Sequence, residues 1–200
     1  MSPSAPRARR FKRVEYEQLI DLGIFRPGER LELIDGLLLV REPQAGPDAL
    51  AIELAAEALR AAFGPAARVR VRLPIALDEE SEPDPDLSVV AGTLDEADPV
   101  IPSQALLIVE VSETTLPHDR SEKASLYARA RIREYWIVNL VERVLEVHRD
   151  PVPEATARYG GDTARCSVSA PATRSRRSRR ARLGSPSRDC FAELGAAAHR

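Results

Sequence analysis

ALLIVEVSETTLPHDRSEKASLYARA, residues 105–130, starts as a core strand and then departs from what a core tolerates. Ala105–Val109 is a continuous apolar run, the pattern of a central strand covered on both faces, yet Glu110 follows at once. Burying an unpaired carboxylate costs roughly several kcal/mol, so Glu110 is expected to lie at the strand's end, to have a cation, or both. The segment HDRSEKASLYARARI that follows reads as a helix opening on a capping box, with Asp119 as N-cap and Glu122 three residues on. Lys123, Tyr127 and Ala130 are spaced by four and three residues and share one helical face, with Leu126 beside them. That face must pack on the sheet, which turns Lys123 inward and makes it a natural partner for Glu110.

Working outward, VEYEQLIDL (Val14–Leu22) carries apolar residues at helical spacing and stops at Gly23. ERLELIDGLLLVRE alternates around Asp35-Gly36, the strongest short hairpin signal. PDALAIELAAEALRAAFG is a helix that opens on a proline and stops at Gly64. ARVRVRLPIAL alternates as a strand, and PDPDLSVVAG gives two prolines and then a short apolar strand. EYWIVNL and RVLEVHRD close the domain as two strands joined at Leu140–Glu142. The order implies an α+β domain, a mixed central sheet flanked by helices.

Asp86 opens the strand DLSVV. It can converge with Glu110 if the two strands are antiparallel neighbours. Two carboxylates completed by water make a hard-cation site suited to Mg²⁺ or Mn²⁺. Taken alone, EPDPD is an ordinary acidic turn. The chain uses 27 Arg and only two Lys, Lys12 and Lys123. Where arginine supplies generic positive charge, a lysine in mid-fold points to a role for a compact ammonium.

The 200 residues fit one domain with a real core. Cys166 and Cys190 form no CxxC, zinc or disulfide pattern, no run is long enough to span a bilayer, and no h-region follows the basic start MSPSAPRARRFKR. A soluble cytoplasmic protein is the expectation. Net charge is −2 overall, but −8 over the first 160 residues, with nine Arg against three acidic residues after them. A nucleic-acid backbone would therefore be met through local patches or a bound cation, not by global attraction. His118 and His148 are isolated, and Tyr135 and Trp136 read as core. The GxSxG elbow, the HExxH pair and the phosphate-cradling glycine loop are all missing.

Taken together, PDPDLSVV, LLIVEVSETT and DRSEKASLYARARIREYWIVN resemble the Uma2 family, a branch of the PD-(D/E)XK nuclease superfamily, and LELIDGLLL and GPDALAIELAAEAL resemble that family's opening. The resemblance covers about Val14–Arg149. It implies a restriction-endonuclease-like core and metal-assisted phosphodiester hydrolysis, with Asp86 and Glu110 as the metal-binding pair. The family's lysine two residues beyond Glu110 is replaced by Ser112, so its role passes to Lys123, and Glu32 matches an acidic position near the site. A Mg²⁺ or Mn²⁺ ion is implied as cofactor and nucleic acid, with DNA favoured, as partner; a homodimer is compatible with this reading. The rival reading is a non-catalytic nucleic-acid or protein-interaction module that keeps the fold. Asp48 stands where the family commonly has His, and Asn139 where it has Asp.

The expected organisation is a basic disordered arm over 1–13, the nuclease-like domain over 14–160 and an Arg/Ser-rich disordered tail over 161–200. Codons for Arg and Ser, read one frame away, give small and apolar residues, so the tail also reads as the product of a frameshift near Gly160.

Overall fold

A computed structural model describes residues 8–41, 47–92 and 100–169. Its elements are α1 (Arg13–Asp21), the hairpin β1 (Arg30–Ile34) and β2 (Leu37–Arg41), α2 (Pro47–Phe63), β3 (Ala67–Val71), β4 (Leu87–Ala91) and β5 (Leu107–Ser112). A helix α3 follows as three end-to-end segments, Leu116–His118, Asp119–Lys123 and Ala124–Arg129, and then β6 (Glu134–Asn139), β7 (Val144–Pro153) and β8 (Gly161–Ser169). Six strands form one sheet in the order β3-β4-β5-β6-β7-β8, and β1-β2 form a separate two-stranded sheet. All neighbours are antiparallel except β5 and β6, whose parallel pairing is bridged by α3. The fold is α+β with a mixed sheet, as the element order implied.

Every residue of β5 is buried. Alternation along the strand divides its side chains between two cores. Leu107, Val109 and Val111 join the cluster under α2 with Ala55, Leu59 and Trp136. Ile108 joins the cluster under α3 with Leu116, Tyr127, Tyr135 and Ile137. Each such fully buried side chain contributes on the order of 1.5–3 kcal/mol. Glu110 and Ser112 share the Ile108 face, so they point into the layer occupied by α3.

The hairpin is held by a two-residue turn in which both Asp35 and Gly36 have positive φ, 48° and 76°. This is the geometry that suits a right-twisted ribbon and that Asp-Gly favours. A side chain at Gly36 would collide with Arg10, whose Cβ would lie 2.6 Å from the added carbon. The turn fixes the register: Ile34 opposes Leu37, Glu32 opposes Leu39 and Arg30 opposes Arg41. A backbone bridge between Leu33 and Glu82 ties the hairpin to the segment before β4.

Three sequence expectations are corrected. The arm was expected to be disordered through residue 13, but Phe11 N–H donates to the Gly36 carbonyl at 2.9 Å and Lys12 Nζ lies 2.9 Å from Glu79 Oε2. Acidic groups on the turn and on the 78–80 loop recruit the basic residues and start α1 at Arg13. Asp119 is not an N-cap: α3 begins three residues earlier, Pro117 occupies its first turn, and the Asp119 N–H already donates to the Thr115 carbonyl. Asp119 instead opens a π-type turn, Asp119–Lys123, and its carboxylate accepts from the Thr115 hydroxyl at 2.6 Å. Finally, the domain does not stop at 160.

Residues 161–169 form β8, laddered along β7 from Leu145↔Ser169 to Pro153↔Gly161. A Cβ at Gly161 would fall 2.3 Å from the Arg129 backbone nitrogen, so β8 starts in close contact with the end of α3. That fit, and the ladder after it, place Gly161–Ser169 inside the fold. The expectations for residues 1–7 and 170–200 lie outside the described residues. Among the described residues, no helix is long and apolar enough to cross a membrane.

Candidate functional site

The register Leu87↔Val109 between antiparallel β4 and β5 sets Asp86 beside Glu110. Each carboxylate takes a backbone N–H from the other's strand: Val111 N–H donates to Asp86 Oδ2 at 2.9 Å and Asp86 N–H to Glu110 Oε2 at 3.3 Å. Glu110 is the fourth of six residues in β5 and lies within the strand, not at its end. Its burial is met by cations and donors. From α3, Tyr127 OH donates to Glu110 Oε1 at 2.8 Å and Lys123 Nζ to the same oxygen at 3.3 Å. Lys123 also donates to Glu32 Oε2 at 2.6 Å. Asp86, Glu110, Lys123 and Glu32 thus converge in one buried cluster, and none of the four is more than 3% exposed.

A fifth group completes the cluster. Arg41, the last residue of β2, places NH1 2.9 Å from Glu32 Oε1 and NH2 3.5 Å from Asp86 Oδ1 and 3.8 Å from Glu110 Oε2. Tyr127 and Arg41 were not among the expected site residues, although Tyr127 was assigned to the inward face. The signal for Arg41 is the Asp-Gly turn: a two-residue loop after Ile34 puts Arg41 opposite Arg30, hence on the face of the hairpin that carries Glu32.

The electrostatics follow from this packing. For Lys123, burial works against the charge, but Glu110 and Glu32 together outweigh it and its pKa is raised. For Glu110, burial opposes ionisation, yet Lys123, Arg41, the Tyr127 hydroxyl and the Asp86 N–H bring its pKa below the ordinary carboxylate value. The Tyr127 hydroxyl is pushed well up, by burial first and by neighbouring Glu110 and Glu32 next. Lys123 is therefore a fixed ammonium that donates, and it is no reservoir for accepting a proton.

Ser112, two residues beyond Glu110, belongs to a neighbouring polar group. Its Oγ lies 3.3 Å from Thr115 Oγ1, which in turn donates to Asp119. Asn139 donates to Glu146 Oε1 at 2.7 Å, a contact that a carboxylate there would turn into repulsion. Arg120 reaches the same glutamate, so that ion pair stands apart from the cluster. A cavity of about 710 Å³ opens elsewhere, between Arg68, Val90, Pro102 and Arg133, and holds none of the cluster's groups.

Among the described residues, no group of three or more His, Cys, Asp or Glu side chains is arranged to hold a metal ion. The donor set nonetheless suits a hard divalent ion. Asp86 and Glu110 offer two carboxylates of the oxygen type such an ion takes, and the space between them and Glu32 is filled by a cation of the chain itself, the Arg41 guanidinium, with NH1 toward Glu32 and NH2 toward Asp86 and Glu110.

The mixed six-stranded sheet with helices on both faces places the chain in the α+β class, and the fold is similar to that of a crystal structure described as "a putative nuclease belonging to DUF820" from Anabaena variabilis. That structure aligns with a TM-score of 0.54 and 13% identity over 74% of this chain and 80% of that one. The chain belongs to the Uma2 family, whose model, described as "Putative restriction endonuclease", matches residues 13–173. No curated protein matches the chain.

Proposed function

We propose that this chain is a metal-dependent endonuclease of the PD-(D/E)XK type that hydrolyses phosphodiester bonds of nucleic acid, with DNA as its substrate. The observation that carries the reading is the convergence of Asp86 and Glu110, from adjacent antiparallel strands, with Lys123 from the helix that bridges β5 and β6. Membership of a family whose model is described as "Putative restriction endonuclease" supports it. Asp86 and Glu110 would hold Mg²⁺ or Mn²⁺. Such an ion, when bound, supplies positive charge against the scissile phosphate and makes water a stronger acid.

The chain's own groups divide the remaining work. Tyr127 and Lys123 both contact Glu110 Oε1, so that oxygen is fixed and Oε2 is left on the side of Asp86 and Arg41. Glu32 holds the ammonium of Lys123 by a 2.6 Å hydrogen bond. Held protonated, Lys123 suits orientation of the attacking water and stabilisation of charge on a phosphate oxygen, the role of the lysine that Ser112 replaces.

A second reading, a non-catalytic nucleic-acid or protein-interaction module, is favoured by Ser112 and by the guanidinium seated among the carboxylates. Incubation of the purified chain with plasmid, linear DNA and RNA oligonucleotides separates the two, in Mg²⁺, Mn²⁺ and EDTA. Cleavage that requires the ion and is lost in Lys123→Ala is expected. Binding without cleavage under every condition would establish the module instead.

A further inference from the structure

Arg41 differs from the rest of the cluster in three respects. Its side chain is 17% exposed, against 4% or less for Lys123, Glu32, Asp86 and Glu110, so it alone connects the cluster to solvent. It is the only cation of the cluster that arrives from the separate hairpin, at the last residue of β2, whereas Lys123 comes from α3. Its contact with Glu32 is also one of charge without directional bonding: Glu32 Oε1 lies 2.9 Å from NH1 yet receives no hydrogen bond, while the guanidinium donates to the Asp84 carbonyl.

Formal charge sharpens the point. Three carboxylates against Lys123 and Arg41 leave the cluster one negative charge in excess. Replacing the guanidinium with a divalent ion brings the balance to zero. A buried cluster favours neutrality strongly, because charge in a low-dielectric interior is poorly screened. An arginine also suits the task of a stand-in, since its planar fork can face several carboxylates at once and it does not deprotonate.

We propose that Arg41 is a built-in occupant of the cation position, which closes the site in the metal-free protein and must swing out toward solvent before a divalent ion can bind. The inference rests on the nuclease reading of the Asp86–Glu110 pair and adds that this chain's hairpin competes with the ion. Its consequence is a site that binds metal weakly at rest and opens when a competing anion, such as a nucleic-acid phosphate, draws the guanidinium away.

The test is Mn²⁺ binding to the full chain by calorimetry and by the electron paramagnetic resonance of free Mn²⁺, without substrate. Wild type is compared with Arg41→Gln and Arg41→Lys, and with Glu110→Gln as the control for the site. Arg41→Gln should bind Mn²⁺ at least about tenfold more tightly than wild type, with Arg41→Lys between the two, and Glu110→Gln should abolish binding. In EDTA, Arg41→Gln should melt below wild type, and Mn²⁺ should raise its Tm by more than it raises that of wild type. If Arg41→Gln does not fold, the order of wild type and Arg41→Lys decides. Equal Mn²⁺ affinity in wild type and the Arg41 variants, lost in Glu110→Gln, would refute the role of Arg41 and leave the metal site standing. No binding by any variant would overturn the metal site itself, and the proposal with it.

Discussion

Glu110 and Glu82 are buried to the same degree, 1% and 3% exposed, and sit in opposite electrostatic states. Glu110 has an ammonium, a guanidinium, a phenol and a backbone N–H, and its pKa falls. Glu82 has Arg13 at 3.8 Å and the like charge of Glu17 beside it, and burial pushes its carboxyl up to about 7. Burial alone therefore does not set the charge of a carboxylate; the partners brought by other elements do. In Glu110 those partners come from β4, α3 and the hairpin, a concentration of charge that a merely structural glutamate does not need. Perturbed groups packed together in this way are a mark of functional sites.

The largest effect should come from making Glu110 resemble Glu82. Lys123→Met leaves Glu32 and Glu110 facing each other without the ammonium between them, and should cost about 3–5 kcal/mol in urea unfolding at neutral pH. A loss below about 1 kcal/mol would mean that Arg41 and water compensate, and that the ammonium is not what holds the cluster.

The two glutamates should also respond to pH with opposite sign. Glu82 has a folded pKa above its ordinary value of 4.5, so its stabilisation is complete below pH 4.5 and is lost as pH rises toward 7. The loss across that window should be about 2–3 kcal/mol at most, and Glu82→Gln should flatten it. Glu110, with a lowered folded pKa, stabilises above 4.5 and loses that contribution as pH falls through its folded value. Glu110→Gln should therefore weaken the acid limb of the stability profile and leave the limb between pH 4.5 and 7 in place.

The smallest effect should be that of Tyr127→Phe. It removes a single 2.8 Å hydrogen bond to Glu110 and keeps the ring in the α3 core. A cost of about 1–2 kcal/mol is expected. A neutral result would show that Lys123 alone fixes that oxygen.

Much of this contrast was legible in the sequence because periodicity carries it. The apolar run before Glu110 marked a strand buried on both faces, and the four-residue step from Lys123 to Tyr127 put both on the face that meets Glu110. Asp35-Gly36 marked the hairpin that carries Glu32, although Arg41 at the end of its second strand was not read as a partner. What could not be read depended on contacts between distant segments. Asp119 has the look of an N-cap, but the helix had already begun at Leu116, and nothing local distinguishes the two starts. Strand β8 has no apolar run, and most of its side chains are exposed. It is held through its backbone ladder to β7, so composition suggested a tail. Glu110 was expected at a strand end, with a cation, or both: the cation Lys123 is there, and burial within the strand is also met by the Arg41 guanidinium from the distant hairpin.

The most direct test of the central claim is cleavage of plasmid DNA by wild type and by Asp86→Asn, each checked for folding by circular dichroism, in Mn²⁺ and in EDTA. Wild type should nick or linearise the plasmid only with Mn²⁺, and folded Asp86→Asn should be inactive in both. Cleavage that persists in EDTA, or equal activity in Asp86→Asn, would contradict the assignment of this buried cluster as a metal-dependent nuclease site.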